Sequence, residues 1–74
     1  MNEGKKLKLI EALKAEKEWM PEYSVFGEKN NLGDYDEAIN YLRTGINTDK
    51  KGNNELLTDI INDFDGVCKL YDIL

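Results

Sequence analysis

The sequence predicts an all-α domain of three helices. Three observations carry that expectation. Apolar residues recur at spacings of three and four, strong helix formers fill the intervals, and the turn-forming residues gather into two short segments. The longest periodic run lies in the last third of the chain. There Leu57, Ile60, Phe64, Val67, Tyr71 and Leu74 fall three or four apart, and Leu56, Ile61 and Cys68 widen the stripe. That period belongs to a helix, not a strand.

The first helix is expected over residues 3–20. Leu9, Ile10, Leu13 and Met20 share a face, with Ala12 and Trp19 on its flank. Lysine, glutamate, alanine and leucine dominate the stretch, and all favour helix. Pro21 stops the pattern because the residue before a proline is pushed out of helical geometry. Residues 21–33 then form a connecting loop. Tyr23 and Val25 alternate with polar neighbours, which suits either a short extended piece or one helical turn opened by Pro21. In both cases Tyr23, Val25 and Phe26 are expected to plug the core between the first two helices. Residues 28–33 are loop by composition.

The second helix is expected over residues 34–45. Asp34 is placed as its N-cap, with Glu37 three residues later as in a capping box. Asp36 and Glu37 fall in the first turn, where the helix dipole favours acids. Tyr35, Ala38, Ile39, Leu42 and Ile46 follow one face, and Gly45 suits the left-handed position after the last turn. Residues 47–53 are a polar turn. Asn53 or Asn54 then caps a third helix over residues 54–73. Gly66 falls inside it at a cost of about 1 kcal/mol relative to alanine. Because the apolar phase passes from Phe64 to Val67 to Tyr71 without a reset, a continuous helix is the expectation. The alternative ends the helix at Phe64, turns through Asp65 and Gly66, and adds a short strand. The expected core is Leu9, Ile10, Leu13, Trp19, Ile39, Leu42, Leu57, Ile60, Ile61, Phe64 and Val67.

Length and charge narrow the function classes. Seventy-four residues make one domain with a marginal core. The single cysteine, Cys68, cannot form an internal disulfide, so the fold does not need an oxidising compartment. The opening residues mix lysines with an acid before any apolar core can build, and no apolar run approaches the ~20 residues of a membrane span. A cytoplasmic protein without membrane contact is therefore expected. The net charge is −5, and residues 53–74 hold five acids against Lys69 alone. Such a surface repels phosphates, so direct nucleic-acid binding is not expected.

Catalytic chemistry finds no foothold in the sequence. There is no histidine, which removes the commonest general base and metal ligand. No glycine-rich phosphate cradle is present. Carboxylates two apart, such as Asp34 with Asp36 and Asp63 with Asp65, diverge on a helix. No enzyme, cofactor or metal site is expected. Asp63, Asp65, Gly66 and Asp72 match half of a calcium-binding EF-hand loop, but Ile61 stands at its first position and Lys69 at its ninth, and neither residue supplies a calcium ligand.

The expected function is a non-catalytic protein-interaction module that binds a partner protein or self-associates as a homodimer. The apolar face of the third helix would carry it through Leu57, Ile60, Phe64, Val67 and Tyr71, since an uncovered seam of this kind marks an interaction surface. The alternative is a small acidic inhibitor, of the kind phages and other mobile elements use, that occupies a basic or nucleic-acid-binding site on its target. Asp34, Asp36, Glu37, Asp59, Asp63, Asp65 and Asp72 would then be the contacts. One further stretch, Gly33-Asp34-Tyr35-Asp36-Glu37-Ala38-Ile39-Asn40-Tyr41-Leu42, resembles the turn and second-helix start of a tetratricopeptide repeat, a helical hairpin that binds peptides. The resemblance implies that Tyr35 and Ala38 pack between paired helices. It spans about a dozen residues and departs from the repeat upstream, where Pro21 and Gly27 would interrupt the first helix. It departs downstream too, where Lys50 replaces the expected proline, and the chain contains no second copy.

Overall fold

The computed structural model describes residues 2–73; Leu74, counted above in the C-terminal stripe, lies outside them. Its helices are α1 (Glu3–Trp19), α2 (Leu32–Thr44), α3 (Glu55–Asn62) and α4 (Phe64–Leu70). No strand occurs among the described residues, and the protein is all-α as the periodicity predicts. The expected third helix is divided into α3 and α4.

Each helix starts where a side chain or tight turn can take up its first unpaired N–H groups. The Asn2 side chain accepts from the Lys5 N–H at 3.1 Å and opens α1. α1 closes when Met20 turns extended, one residue ahead of Pro21. α2 begins at Leu32, two residues before the expected start, and its N-cap is Asn31 rather than Asp34. The capping box does not form because Asp34 lies inside the helix; the Glu37 carboxylate instead accepts from Thr48 Oγ1 at 3.1 Å and from Asn54 Nδ2 at 3.4 Å. The end of α2 follows the expectation, with Gly45 at φ 76° and its N–H on the Tyr41 carbonyl at 2.8 Å.

The break between α3 and α4 is a one-residue kink at Asp63, not at Gly66. Asp63 leaves helical geometry at φ −149° and ψ 68°. Its N–H still donates to the Asp59 carbonyl at 2.8 Å, and its own carbonyl accepts from the Val67 N–H at 3.1 Å. Asp63 thus closes α3 and opens α4 in a single residue, and the apolar phase survives because no further residue separates the two helices. What is new is the Asp63 side chain, which folds back to accept from the Gly66 N–H at 3.0 Å. A Cβ on Gly66 would lie 2.6 Å from the Asp63 Cγ, so the glycine leaves room for that cap. α4 ends in a Schellman arrangement: the Ile73 N–H donates to the Cys68 carbonyl at 2.8 Å and the Asp72 N–H to the Lys69 carbonyl at 3.1 Å. Asp72 occupies the left-handed position at φ 58° where glycine is usual. The turn delivers Ile73 into the core.

The core gathers Leu9, Ile10 and Leu13 of α1, Ala38, Ile39 and Leu42 of α2, Ile60 of α3, Val67 and Cys68 of α4, and Ile73. Leu57 is buried as well. Two expected core residues lie elsewhere. Trp19 is 85% exposed because the buried face of α1 runs from Leu9 and Leu13 to the half-buried Glu16, Lys17 and Met20, leaving Trp19 off that line. Ile61 is exposed on the outer side of α3, and Phe64 is partly buried against the core. Asn54 is the one buried polar side chain among the described residues, and it is fully paired. Its Oδ1 accepts from the Leu57 N–H at 3.0 Å, its Nδ2 donates to the Asp34 carbonyl at 3.0 Å, and its own N–H donates to Asp49 Oδ2 at 2.7 Å.

These helix starts lead to two stability predictions. Asp63→Ala is expected to cost about 1 kcal/mol, the worth of an N-cap, but close to nothing in a Gly66→Ala background, where the cap is already displaced. Additive losses in urea unfolding would refute that coupling. Asn54→Ala is expected to cost roughly 2 kcal/mol, combining a lost cap with an orphaned carbonyl and amide. The readout is the denaturation midpoint at unchanged slope. Asn54→Asp keeps the cap but loses the amide donor, and should also destabilise.

Candidate functional site

The five seam residues face inward. Leu57, Ile60 and Val67 are buried, and Phe64 and Tyr71 are partly buried against the same core. The stripe on α3 and α4 is covered by α1 and α2 of the same chain, so it does not form an open surface. Tyr71 closes one edge of it. Its hydroxyl donates to Glu16 Oε2 of α1 in a very short hydrogen bond. Burial first, and then the Glu16 carboxylate, push the Tyr71 phenol well above its ordinary range, and the same causes raise Tyr35. Both phenols therefore keep their protons at neutral pH. As the repeat-like stretch implies, Ala38 is buried between helices and Tyr35 packs beside the core. The first helix of such a repeat is absent, because residues 20–31 are not helical.

The seven acidic candidates are dispersed, and four of their carboxylates are used within the chain. Asp36 pairs with Lys17 at 2.6 Å, Asp65 with Lys5 at 3.5 Å, Glu37 holds Thr48 and Asn54, and Asp63 caps α4. Asp59 and Asp72 are exposed. Asp34 is partly buried where the starts of α2 and α3 meet. Burial, and then the charges of Glu37, Asp49 and Glu55, raise its carboxyl above the ordinary value. The half EF-hand pattern does not assemble either, since Asp63, Asp65 and Asp72 have separate local roles. Among the described residues no group of three or more potential ligands is disposed to hold a metal ion. Cys68 is a free, fully buried thiol, and burial pushes its pKa up, away from the reactive thiolate.

The segment expected to plug the core is instead exposed, while Leu7, Ile46, Ile61 and Leu70 are exposed elsewhere on the chain. Val25 is 95% exposed, Phe26 89% and Tyr23 55%. Together with Trp19, they place four large apolar side chains in solvent within eight residues of sequence. Their backbone explains why they are not drawn inward. Residues 22–30 close on themselves as a small antiparallel hairpin, with Tyr23 opposite Lys29. The Ser24 N–H donates to the Glu28 carbonyl at 2.7 Å, and the Asn30 N–H to the Glu22 carbonyl at 2.8 Å. At the tip, the Gly27 N–H donates to the Ser24 carbonyl at 3.0 Å, and Gly27 takes φ 83°. Ser24 Oγ accepts from the Phe26 and Glu28 N–H groups, both at 3.2 Å. Asn30 Nδ2 fastens the base by donating to the Pro21 carbonyl at 2.7 Å. Val25 and Phe26 are the turn residues of a self-contained loop, so they point away from the helices. The alternation of Tyr23 and Val25 suits an extended piece or a helical turn equally; Tyr23 is paired across the hairpin and Val25 lies in its turn, and the exposure has no sequence signal at all.

The acidic junction yields a titration prediction. The folded-state pKa of Asp34 is raised, so this group favours folding below its unfolded value of 3.8, and that contribution is lost as pH rises through the higher folded pKa. A carbon-detected NMR titration should place the Asp34 carboxyl above 3.8, and Glu55→Gln should bring it closer to that value. A normal Asp34 titration would contradict the crowding of these acids.

No helix among the described residues is long and apolar enough to cross a membrane. No protein-family model matches the chain, and neither a curated protein nor a solved structure does.

Proposed function

We propose that the chain is a non-catalytic protein-interaction module that docks on a partner protein through its aromatic hairpin. The observation that carries this reading is the exposure of Tyr23, Val25 and Phe26 on a hydrogen-bonded turn, with Trp19 exposed nearby in sequence at the end of α1. Exposed apolar groups held in a fixed shape lose little conformational entropy on binding. Aromatic anchors of this kind dominate the energetics of protein interfaces. The apolar stripe of α3 and α4 then serves the fold, and the partner contact moves to the loop. A cytoplasmic setting suits a fold that has one buried thiol and requires no disulfide.

The acid-inhibitor alternative contributes one element to this reading. Glu18, Glu22 and Glu28 lie in the same stretch as the exposed side chains, against Lys29. A partner surface with an apolar pocket and a basic rim fits both features.

The test separates docking from folding. Val25→Ser combined with Phe26→Ser alters two solvent-exposed positions, so thermal stability is expected to change by no more than about 0.5 kcal/mol. Capture of the partner from native extract, compared with wild type, is expected to fall at least tenfold, as is typical when anchor residues are removed. Undiminished capture by the double variant would remove the hairpin from the interface.

A further inference from the structure

The hairpin carries a second set of unused groups, in its backbone. The two ladder bonds between Ser24 and Glu28 and between Asn30 and Glu22 bracket the Tyr23–Lys29 pair. In an antiparallel ladder the residues of such a bracketed pair direct their N–H and C=O groups outward. Tyr23 and Lys29 therefore turn a donor and an acceptor toward opposite edges, and no backbone bond among the described residues uses them. A two-stranded ribbon is all edge. In an otherwise helical chain there is no further strand among the described residues to cover either side.

We propose that the hairpin binds by edge-on addition to a β-sheet of the partner, seating Val25 and Phe26 in an apolar pocket bordered by lysine or arginine. The inference rests on the protein-interaction reading above. The free edge groups supply main-chain hydrogen bonds to a strand, the mode by which extended segments add to exposed sheet edges. The apolar tip supplies the anchor, and Glu22 and Glu28 on the two strands of the ribbon select a cationic rim. The same charges disfavour two other occupants. A second copy of this chain, with net charge −5, would bring carboxylate against carboxylate. An anionic bilayer would meet the same repulsion. The base of the hairpin is fixed by the Asn30 bond to Pro21, so the edge is presented in one geometry.

The test uses the full chain carrying Phe26→p-benzoylphenylalanine, photolysed in native extract, with the crosslinked partner peptide identified by mass spectrometry. The expected crosslink falls in an apolar pocket beside an exposed edge strand that has basic neighbours. Lys29→Pro or Tyr23→Pro, each removing one outward N–H, should reduce the yield at least tenfold for the edge in use, whereas Lys29→Ala should not. Unchanged helical circular dichroism shows that the variants fold. A crosslink in a helical groove, or full yield from both proline variants, overturns edge addition while leaving the hairpin as an interaction element. The absence of any hairpin crosslink overturns both. A crosslink to a second copy, or a blue shift of Trp19 emission on phosphatidylcholine vesicles with or without phosphatidylserine, would replace the β-edge partner with a homodimer or a membrane.

Discussion

The arrangement of this protein depends on Asn54. It is the single polar side chain drawn fully into the interior of the described chain, and it meets three segments there. It caps α3 through the Leu57 N–H, holds the start of α2 through the Asp34 carbonyl, and receives the polar turn through Asp49. A buried amide without partners would cost a few kcal/mol, which is a large share of the stability of a domain this small. With every bond made, the same residue admits only one placement of α3 against α2. The position of α4 follows, since it hangs from α3 through the single residue Asp63.

The surface polar contacts add little beside this. The Lys17–Asp36 and Lys5–Asp65 pairs join α1 to α2 and α4, but solvent and side-chain entropy leave exposed pairs worth at most about 1 kcal/mol each. Apolar burial contributes far more. Leu9, Leu13, Leu42, Leu57, Ile60 and Cys68 are almost completely removed from water. The Tyr71–Glu16 hydrogen bond completes this layer by closing the C-terminal turn over α1. A chain with no disulfide and so little area to bury must commit its best apolar stripe to itself.

That demand takes the stripe into the core. The widest stripe in the sequence would serve a partner, but α1 and α2 have no other large apolar face to pack against, so folding consumes it. Tyr23, Val25 and Phe26 stay in solvent on a loop whose turn closes on itself. Ser24 is central to this, accepting from two N–H groups of the turn while its main chain pairs with Glu28 and Gly27. A turn that closes by itself is free to carry Val25 and Phe26 outward. The exposed aromatic segment and the buried stripe are thus two results of one constraint.

Local chemistry in the sequence determined the helical class, the end of α1 before Pro21, the left-handed Gly45 and an asparagine cap at position 53 or 54. Each of these rests on a few neighbouring residues, whose steric and hydrogen-bonding preferences act without the rest of the chain. Tertiary structure decided the remainder. Periodicity states that Leu57, Ile60 and Val67 share a face, but it is blind to whether that face meets α1 or another protein. Aromatic content marks Trp19 and Phe26 as core candidates, yet direction depends on where the helix stops and how the hairpin turns. The kink was hidden for a related reason. Asp63 ends one helix and caps the next within one residue, so the apolar phase passes through unchanged. Only the folded geometry shows a carboxylate resting where the side chain of Gly66 would be.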